Sequence, residues 1–180
     1  MKIAITGSSK GIGFAISEAF KTQGHTVIGF NRSEGWDINN KLTQDKIVEQ
    51  SVDCDLFINN AHSGYAQTEL LFKLQKEWQG QKKIIANIGS SITMRWQLDH
   101  RFVTYRTEKI ALDNACNFLW NKSKWPHIMI FKPCAVATER MLHWNGPKVD
   151  PADIADFLIY CINHKKFRIQ EIGIAINPEK

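Results

Sequence analysis

Lys2-Ile3-Ala4-Ile5-Thr6-Gly7-Ser8-Ser9-Lys10-Gly11-Ile12-Gly13 decides how the rest of this sequence is read. A short run of strand character feeds directly into glycines at 7, 11 and 13. Beyond them Ile12, Ala15, Ile16, Ala19 and Phe20 recur at three- and four-residue steps, one buried stripe of an amphipathic helix. Strand, glycine-rich turn and helix in that order make a phosphate cradle. Gly7 permits a tight turn, Gly11 lets the backbone approach a pyrophosphate, and Gly13 lets the helix lie close to the strand. Free N–H groups at the helix start then face the phosphates. The bland alternative is a simple strand-to-helix turn; Ser/Lys/Gly chemistry inside a proper β-turn-α unit argues against it.

Outward from this unit, apolar runs of strand length alternate with stretches of helical period. The pattern predicts strands near 2–6, 25–30, 54–59, 83–89, 127–132 and 171–176, and helices near 12–23, 41–50, 67–79, 104–121 and 151–163. That alternation is the signature of an α/β fold with a doubly wound parallel sheet between two helical layers, a three-layer α/β/α arrangement. No internal repeat and no Pro/Gly/Ser-rich linker divides residues 1–180, so one continuous domain is expected.

At 180 residues, 43% of them hydrophobic, the chain can bury a real core. The net charge of +5 is scattered in short clusters such as Lys82-Lys83 and Lys165-Lys166, without a basic helix or an arginine-rich arm. This favours solvated surface over a nucleic-acid partner. Cys54, Cys116, Cys134 and Cys161 are far apart and mostly in apolar runs, so they read as reduced thiols rather than a disulfide framework or metal site. His62, His100 and His143 have no metal-ligand spacing, and no metal is expected. Met1-Lys2 leads into an apolar run that ends at Gly7, too short for a signal peptide, and no stretch approaches the length of a membrane span. A cytoplasmic setting without membrane contact is the expectation.

The spacing Thr6-Gly7-x-x-x-Gly11-x-Gly13 differs from the common GxGxxG and resembles that of the short-chain dehydrogenases/reductases. Further matches follow in that family's order. Asn59-Asn60-Ala61-His62, at the end of a strand, is similar to its NNAG, and Ile88-Gly89-Ser90 to its catalytic-serine strand. Tyr105-Arg106-Thr107-Glu108-Lys109 matches its YxxxK, and Pro133-Cys134-Ala135-Val136-Ala137-Thr138 resembles its PGxxxT. Together these span positions 6 to 138. The resemblance implies an unusually short NAD(P)-binding Rossmann domain. Its cofactor site would take in Gly7, Ser9, Lys10, Gly11, Ile12 and Gly13 on the loop, then Asn60, Ala61 and His62, and Pro133, Val136 and Thr138 beside the nicotinamide.

Cofactor choice rests on the residues after the second strand, Asn31-Arg32-Ser33. NAD sites of this architecture place an acid there for the ribose 2′-OH, and NADP sites need cations for the 2′-phosphate. Arg32 can fork onto a phosphate, Ser33 can donate to it, and Lys10 can add a second charge, with no acid before Glu34. NADP(H) is therefore expected in preference to NAD(H); an ordinary solvated arginine is the alternative for Arg32. Asp37-Ile38 resembles the family's pair at the adenine, although Asp37 could equally help begin the following helix.

Tyr105 and Lys109 are four apart and share one helix face. Lowering a tyrosine by about three units toward neutrality needs roughly 4 kcal/mol, which a neighbouring ammonium and an oxidised nicotinamide can supply. The resemblance assigns proton transfer at the substrate oxygen to Tyr105, lowering of its pKa and the nicotinamide ribose to Lys109, and a hydrogen bond to the reacting carbonyl to Ser90, with Ser91 as its competitor. Two departures stand out. The family's fourth catalytic residue, an Asn on the helix before the serine strand, has no counterpart, so water or a side chain such as Gln67 must replace it, or the relay is absent. Cys134 stands where the family has Gly, a small buried thiol by preference. Loops at about 92–104 and 139–149 should flank the substrate. They mix Met94, Trp96, Met141, Leu142 and Trp144 with Arg95, Arg101, Arg140 and His143, an apolar pocket with some attraction for anions.

The reading is an NADP-dependent carbonyl reductase or alcohol dehydrogenase acting on a small molecule. The alternative is a non-catalytic NADP-binding sensor or scaffold. Family members commonly form homo-oligomers through the YxxxK helix and the helix before it.

Overall fold

A computed structural model describes residues 1–94, 99–164 and 166–177. Its strands are β1 (Lys2–Thr6), β2 (Thr26–Phe30), β3 (Leu56–Asn59), β4 (Ile84–Ile88), β5 (His127–Lys132) and β6 (Glu171–Gly173). Its helices are α1 (Gly11–Thr22), α2 (Lys41–Gln50), α3 (Ala66–Glu77), α4 (Val103–Lys122) and α5 (Pro151–Asn163). All strands are parallel and lie in the order β2-β1-β3-β4-β5-β6. This is the doubly wound α/β sheet expected, with one difference. Only β2 lies beyond β1, where the standard Rossmann order has two strands.

Side chains alternate across the sheet because neighbouring residues of a strand point to opposite faces. Ile3 and Ile5, Leu56 and Ile58, and Met129 and Phe131 face α1 and α5, where Ile16, Phe20, Leu158 and Ile162 meet them. Ala4, Phe57, Ile85, Ile128 and Ile130 face the other way, onto Ile47, Leu70, Leu74, Leu112 and Leu119 of α2, α3 and α4. Two cores thus sandwich one sheet.

Two helix starts follow from side-chain caps. Asn40 accepts from the amides of Leu42 and Thr43 at the head of α2, and Asp150 accepts from Ala152 ahead of Pro151 in α5. The last strand is shorter than its alternating pattern predicts, because β5 offers ladder partners only from Ile130 to Lys132. Among the described residues no helix is long and apolar enough to cross a membrane. At the carboxyl edge, the chain leaves β1 toward α1 on one face and leaves β3 toward α3 on the other, which opens a crevice between them.

Candidate active site

The chain turns after β1 on Gly7 and Gly11, with φ of 70° and 57°, a region unfavourable to residues with a Cβ. Gly13 is required for space: a Cβ there would stand 2.1 Å from the Gly7 carbonyl oxygen and 2.5 Å from Asn60 Nδ2. The first bond of α1 runs from Phe14 N to Lys10 O, so the amides of Gly11, Ile12 and Gly13 precede it without a helix carbonyl to bond. β3 braces this turn. Asn60 Nδ2 donates to the carbonyls of Thr6 and Gly7 at 3.0 and 3.1 Å, and the Thr6 hydroxyl accepts the amides of Asn60 and Ala61. The Asn60 side chain is therefore occupied in shaping the cradle.

At the end of β2, Arg32 and Ser33 are exposed in one 3₁₀ turn. Asn31 is buried; it accepts from the Ser8 hydroxyl at 3.2 Å and donates to the Glu34 carboxylate at 3.2 and 3.3 Å. Ser8, Ser9, Asn31 and Glu34 border a cleft of about 340 Å³. Glu34 thus brings an acid to the place where the sequence showed only cations. Lys10 is not free either, since its Nζ lies 2.9 Å from Glu139 Oε2.

The expected adenine pair divides. Asp37 accepts the Asn39 amide, and Asn40 rather than Asp37 caps α2. Ile38 is 4% exposed and packs in the core beside α2, so it offers no apolar face for a base. With a single strand beyond β1, the segment after β2 folds straight over the sheet edge and Ile38 fills the space there.

Ser90, Tyr105 and Lys109 come together at the ends of β4 and α4. Ser90 lies close enough to the Tyr105 phenol to act against the rise in its pKa, whereas the Ser91 amide bonds Pro133 O and Ser91 borders a separate cleft. Lys109 is 3% exposed, with Nζ 5.8 Å from the Tyr105 ring centre. Its ammonium donates to Gln67 Oε1 at 2.8 Å and to Ile88 O at 2.9 Å. Burial, then the Arg140 charge, lowers Lys109 to about 7. Burial raises Tyr105 above its usual value, against Ser90 and the Arg140 charge. The lowered value expected from the sequence counts on an oxidised nicotinamide as well as Lys109.

Around this group lies a lattice of buried amides. Asn59 Nδ2 donates to Gln67 O and Asn87 Oδ1, and Asn87 Nδ2 to Met129 O. Asn87 escaped the sequence reading, and Thr6 and Asn59 stood in its motifs without a role. The available signal was polar residues at positions of apolar strands whose neighbours on both sides are core, as in Ile84-Ile85-Ala86-Asn87-Ile88.

His62 was expected at the cofactor, but its ring stands edge-on to Tyr105 with centres 4.9 Å apart, and Nε2 lies 2.9 Å from Glu108 Oε2. Burial, with Lys109 and Arg140, lowers it to about 4 and keeps it neutral. One turn beyond Lys109, Asp113 pairs with Lys132 at 2.7 Å, and Lys132 also holds Glu171 at 2.6 Å.

Pro133, Val136 and Thr138 follow β5. Pro133 O accepts from Ser91, Val136 is buried with its carbonyl bonded by Thr138 N, and the Thr138 methyl faces Gly11. Arg140 lies 5.2 Å from the Tyr105 ring centre. Arg101 is paired with Asp99, and Leu142 is 76% exposed, so the flanking loops gather less of the expected pocket around Tyr105 than the sequence suggested. Arg95 and Trp96 lie outside the described residues.

No protein-family model matches the sequence, and neither does any curated protein. Solved structures do match. A 3-alpha-hydroxysteroid dehydrogenase from a Pseudomonas species, complexed with NADH, is 18% identical with a TM-score of 0.80, over 96% of this chain and 95% of that one. A short-chain dehydrogenase from Burkholderia cenocepacia in complex with NADP is 16% identical at a TM-score of 0.82, over 96% and 88%. An alcohol dehydrogenase from the archaeon Thermococcus sibiricus, complexed with 5-hydroxy-NADP, is 16% identical at 0.76, over 97% and 96%. This chain has the fold of the short-chain dehydrogenases. At such low identity the likeness establishes architecture, and the motifs above fall on the strand ends and helix of that fold in the order of the sequence.

Proposed function

We propose that this chain is a member of the short-chain dehydrogenases/reductases, an oxidoreductase that reduces a small carbonyl compound, or oxidises the corresponding alcohol, with NADP(H). The observation that carries the reading is the meeting of Ser90, Tyr105 and Lys109 beside a glycine cradle. The cradle suits a dinucleotide: positive φ at Gly7 and Gly11, no room for a Cβ at Gly13, and helix-start amides for a pyrophosphate. When bound, the nicotinamide supplies or accepts the hydride.

The chain's own groups handle the proton. Ser90 donates a hydrogen bond to the carbonyl oxygen, and Tyr105 gives that oxygen its phenolic proton as the carbon is reduced. Lys109 stabilises the phenolate that remains. The nearness of Ser90 to the Tyr105 phenol supports catalysis over a purely binding role. Arg32, Ser33 and Lys10 support NADP, with Glu34 as a counterweight. Ser9, Ile12, Ala61, Pro133, Val136 and Thr138 are assigned to cofactor contacts, and the loops at 92–104 and 139–149 to the substrate, within one domain. Four cysteines that form no disulfide with one another suit the cytoplasm.

Incubating the protein with NADPH and a panel of ketones, aldehydes and acyl thioesters, while following the reduced nicotinamide's absorbance, tests this. Turnover that falls about 10²–10⁴-fold in Tyr105→Phe is expected. Tight NADPH binding without turnover on a broad panel would point to a sensor or scaffold instead.

A further inference from the structure

Lys109 is an ammonium in a dry place. It has three hydrogens to donate, and two go to uncharged acceptors, Gln67 Oε1 at 2.8 Å and Ile88 O at 2.9 Å. Gln67 cannot rotate away. Its Nε2 donates to Asn59 O at 2.6 Å and to Ile88 O at 3.0 Å, so an amide flip would set Nε2 against the ammonium and lose both bonds. The residue is 2% exposed. Its partner Asn59 is itself tied back to the Gln67 carbonyl and to Asn87. The pairing is long-range, 42 residues apart, and links α3 to α4 across the end of β4.

We propose that Gln67 is a positioning residue for the reaction: its amide seats Lys109 on a neutral acceptor and leaves one ammonium hydrogen, with the undiminished charge, for the Tyr105 side. The inference rests on the proposed chemistry, and it gives a reason for an amide rather than a carboxylate. An acid at 67 would form a buried ion pair with Lys109 and cancel the field that favours phenolate at Tyr105. An apolar residue would leave a buried ammonium short of an acceptor, which disfavours the charged form. The acid offsets the cation's field at the phenol, and the apolar residue lowers the fraction of Lys109 that carries the charge. The seat needs no water between α3 and Lys109, and so fills the role for which the sequence offers no Asn.

Lys109 can be titrated through the NMR shift of its side-chain nitrogen, identified by its absence from Lys109→Met. In folded Gln67→Met, which withdraws an acceptor, Lys109 is expected to lose its proton at least about one pH unit below wild type, and in folded Gln67→Glu, which adds an anion, at least about one unit above it. Opposite shifts are expected in the pH profile of kcat, with kcat about tenfold lower near neutrality and KM for NADPH within about twofold. Titration curves and pH profiles that coincide with wild type in both variants would overturn the role.

A measurement on the unaltered protein stands independent of variant folding. The Gln67 Nε2 hydrogens are expected to exchange with solvent at least about a hundredfold more slowly than a free amide; exchange at the free rate refutes the seat. The Lys109 titration needs no turnover. A Lys109 that shifts as expected in a protein that reduces nothing sinks the enzyme reading and supports the seat, whereas Tyr105-dependent turnover with an unshifted Lys109 does the reverse.

Discussion

Lys10 and Glu139 meet across the mouth of the crevice, with Nζ 2.9 Å from Oε2, although they are 129 residues apart. One stands on the glycine loop and the other just after Thr138, whose methyl faces Gly11. The pair ties the two loops together and engages a cation assigned to the cofactor phosphates. Both side chains are about 70% exposed, so the pair contributes little, about 0.2–1 kcal/mol. Glu139→Gln is therefore expected to tighten NADPH binding about two- to fivefold, by freeing Lys10 and removing a repelling charge, and the gain should shrink as salt is raised. Fluorescence titration at two ionic strengths checks this; unchanged or weaker binding would count against Lys10 as a phosphate ligand.

Glu34 opposes the proposed NADP preference from within the same cleft as Ser8 and Ser9. Replacing its carboxylate by an amide keeps an acceptor for Asn31 Nδ2 and removes the charge that a 2′-phosphate would meet. Glu34→Gln is expected to strengthen NADPH by about 1 kcal/mol, roughly fivefold, and leave NADH within about twofold. Arg32→Ala should weaken NADPH selectively. Equal effects on the two dinucleotides in both variants would refute a 2′-phosphate site at this place.

Much of this architecture was legible because two periods carry it. Strands such as Ile3-Ala4-Ile5 and helices such as Ile16 to Phe20 are patterned by burial, and the glycines at 7, 11 and 13 by backbone and space. What was hidden depends on partners distant in sequence. Ile38 reads as a residue beside a base until the missing strand sends it into the core. His62 reads as a cofactor-site residue at a strand end, and only α4 brings Tyr105 to its ring edge. The alternation Ile172, Ile174, Ile176 reads as one long strand because periodicity is blind to where β5 stops offering partners. The burial that raises Tyr105 was hidden for a related reason. Spacing along a helix shows that a cation is near, and only the three-dimensional packing shows how much water has gone.

Gly13 offers a test of the cradle that needs no ligand. A methyl group would enter between the Gly7 carbonyl and Asn60 Nδ2, at 2.1 and 2.5 Å, and the first of these is backbone held by the β1–β3 brace. Gly13→Ala is expected to cost about 3 kcal/mol or more, a fall in Tm of roughly 10 °C by calorimetry. A Tm within about 2 °C of wild type would mean that the helix does not approach the turn this closely.

Lys109 leaves a signature in stability against pH. Its pKa in the folded protein is about 7, against 10.5 for a lysine free in water. Between those values the unfolded chain holds a proton that the folded chain has released, so the unfolded state binds more protons and stability from this group rises with pH. Its unfavourable contribution is full below about pH 7, fades as pH climbs toward 10.5, and is absent above that. Tyr105 and the buried thiol of Cys116 act in the opposite sense at the alkaline end, because burial raises both. The comparison must therefore be with Lys109→Met, which keeps those groups and removes the ammonium. Denaturant unfolding at intervals from pH 6.5 to about 9 is expected to show the variant gaining most over wild type at the acid end, with the gap narrowing as pH rises. A gap that stays constant, or widens with pH, would show that Lys109 is not held in the dry, neutral seat that the Gln67 and Ile88 carbonyls form.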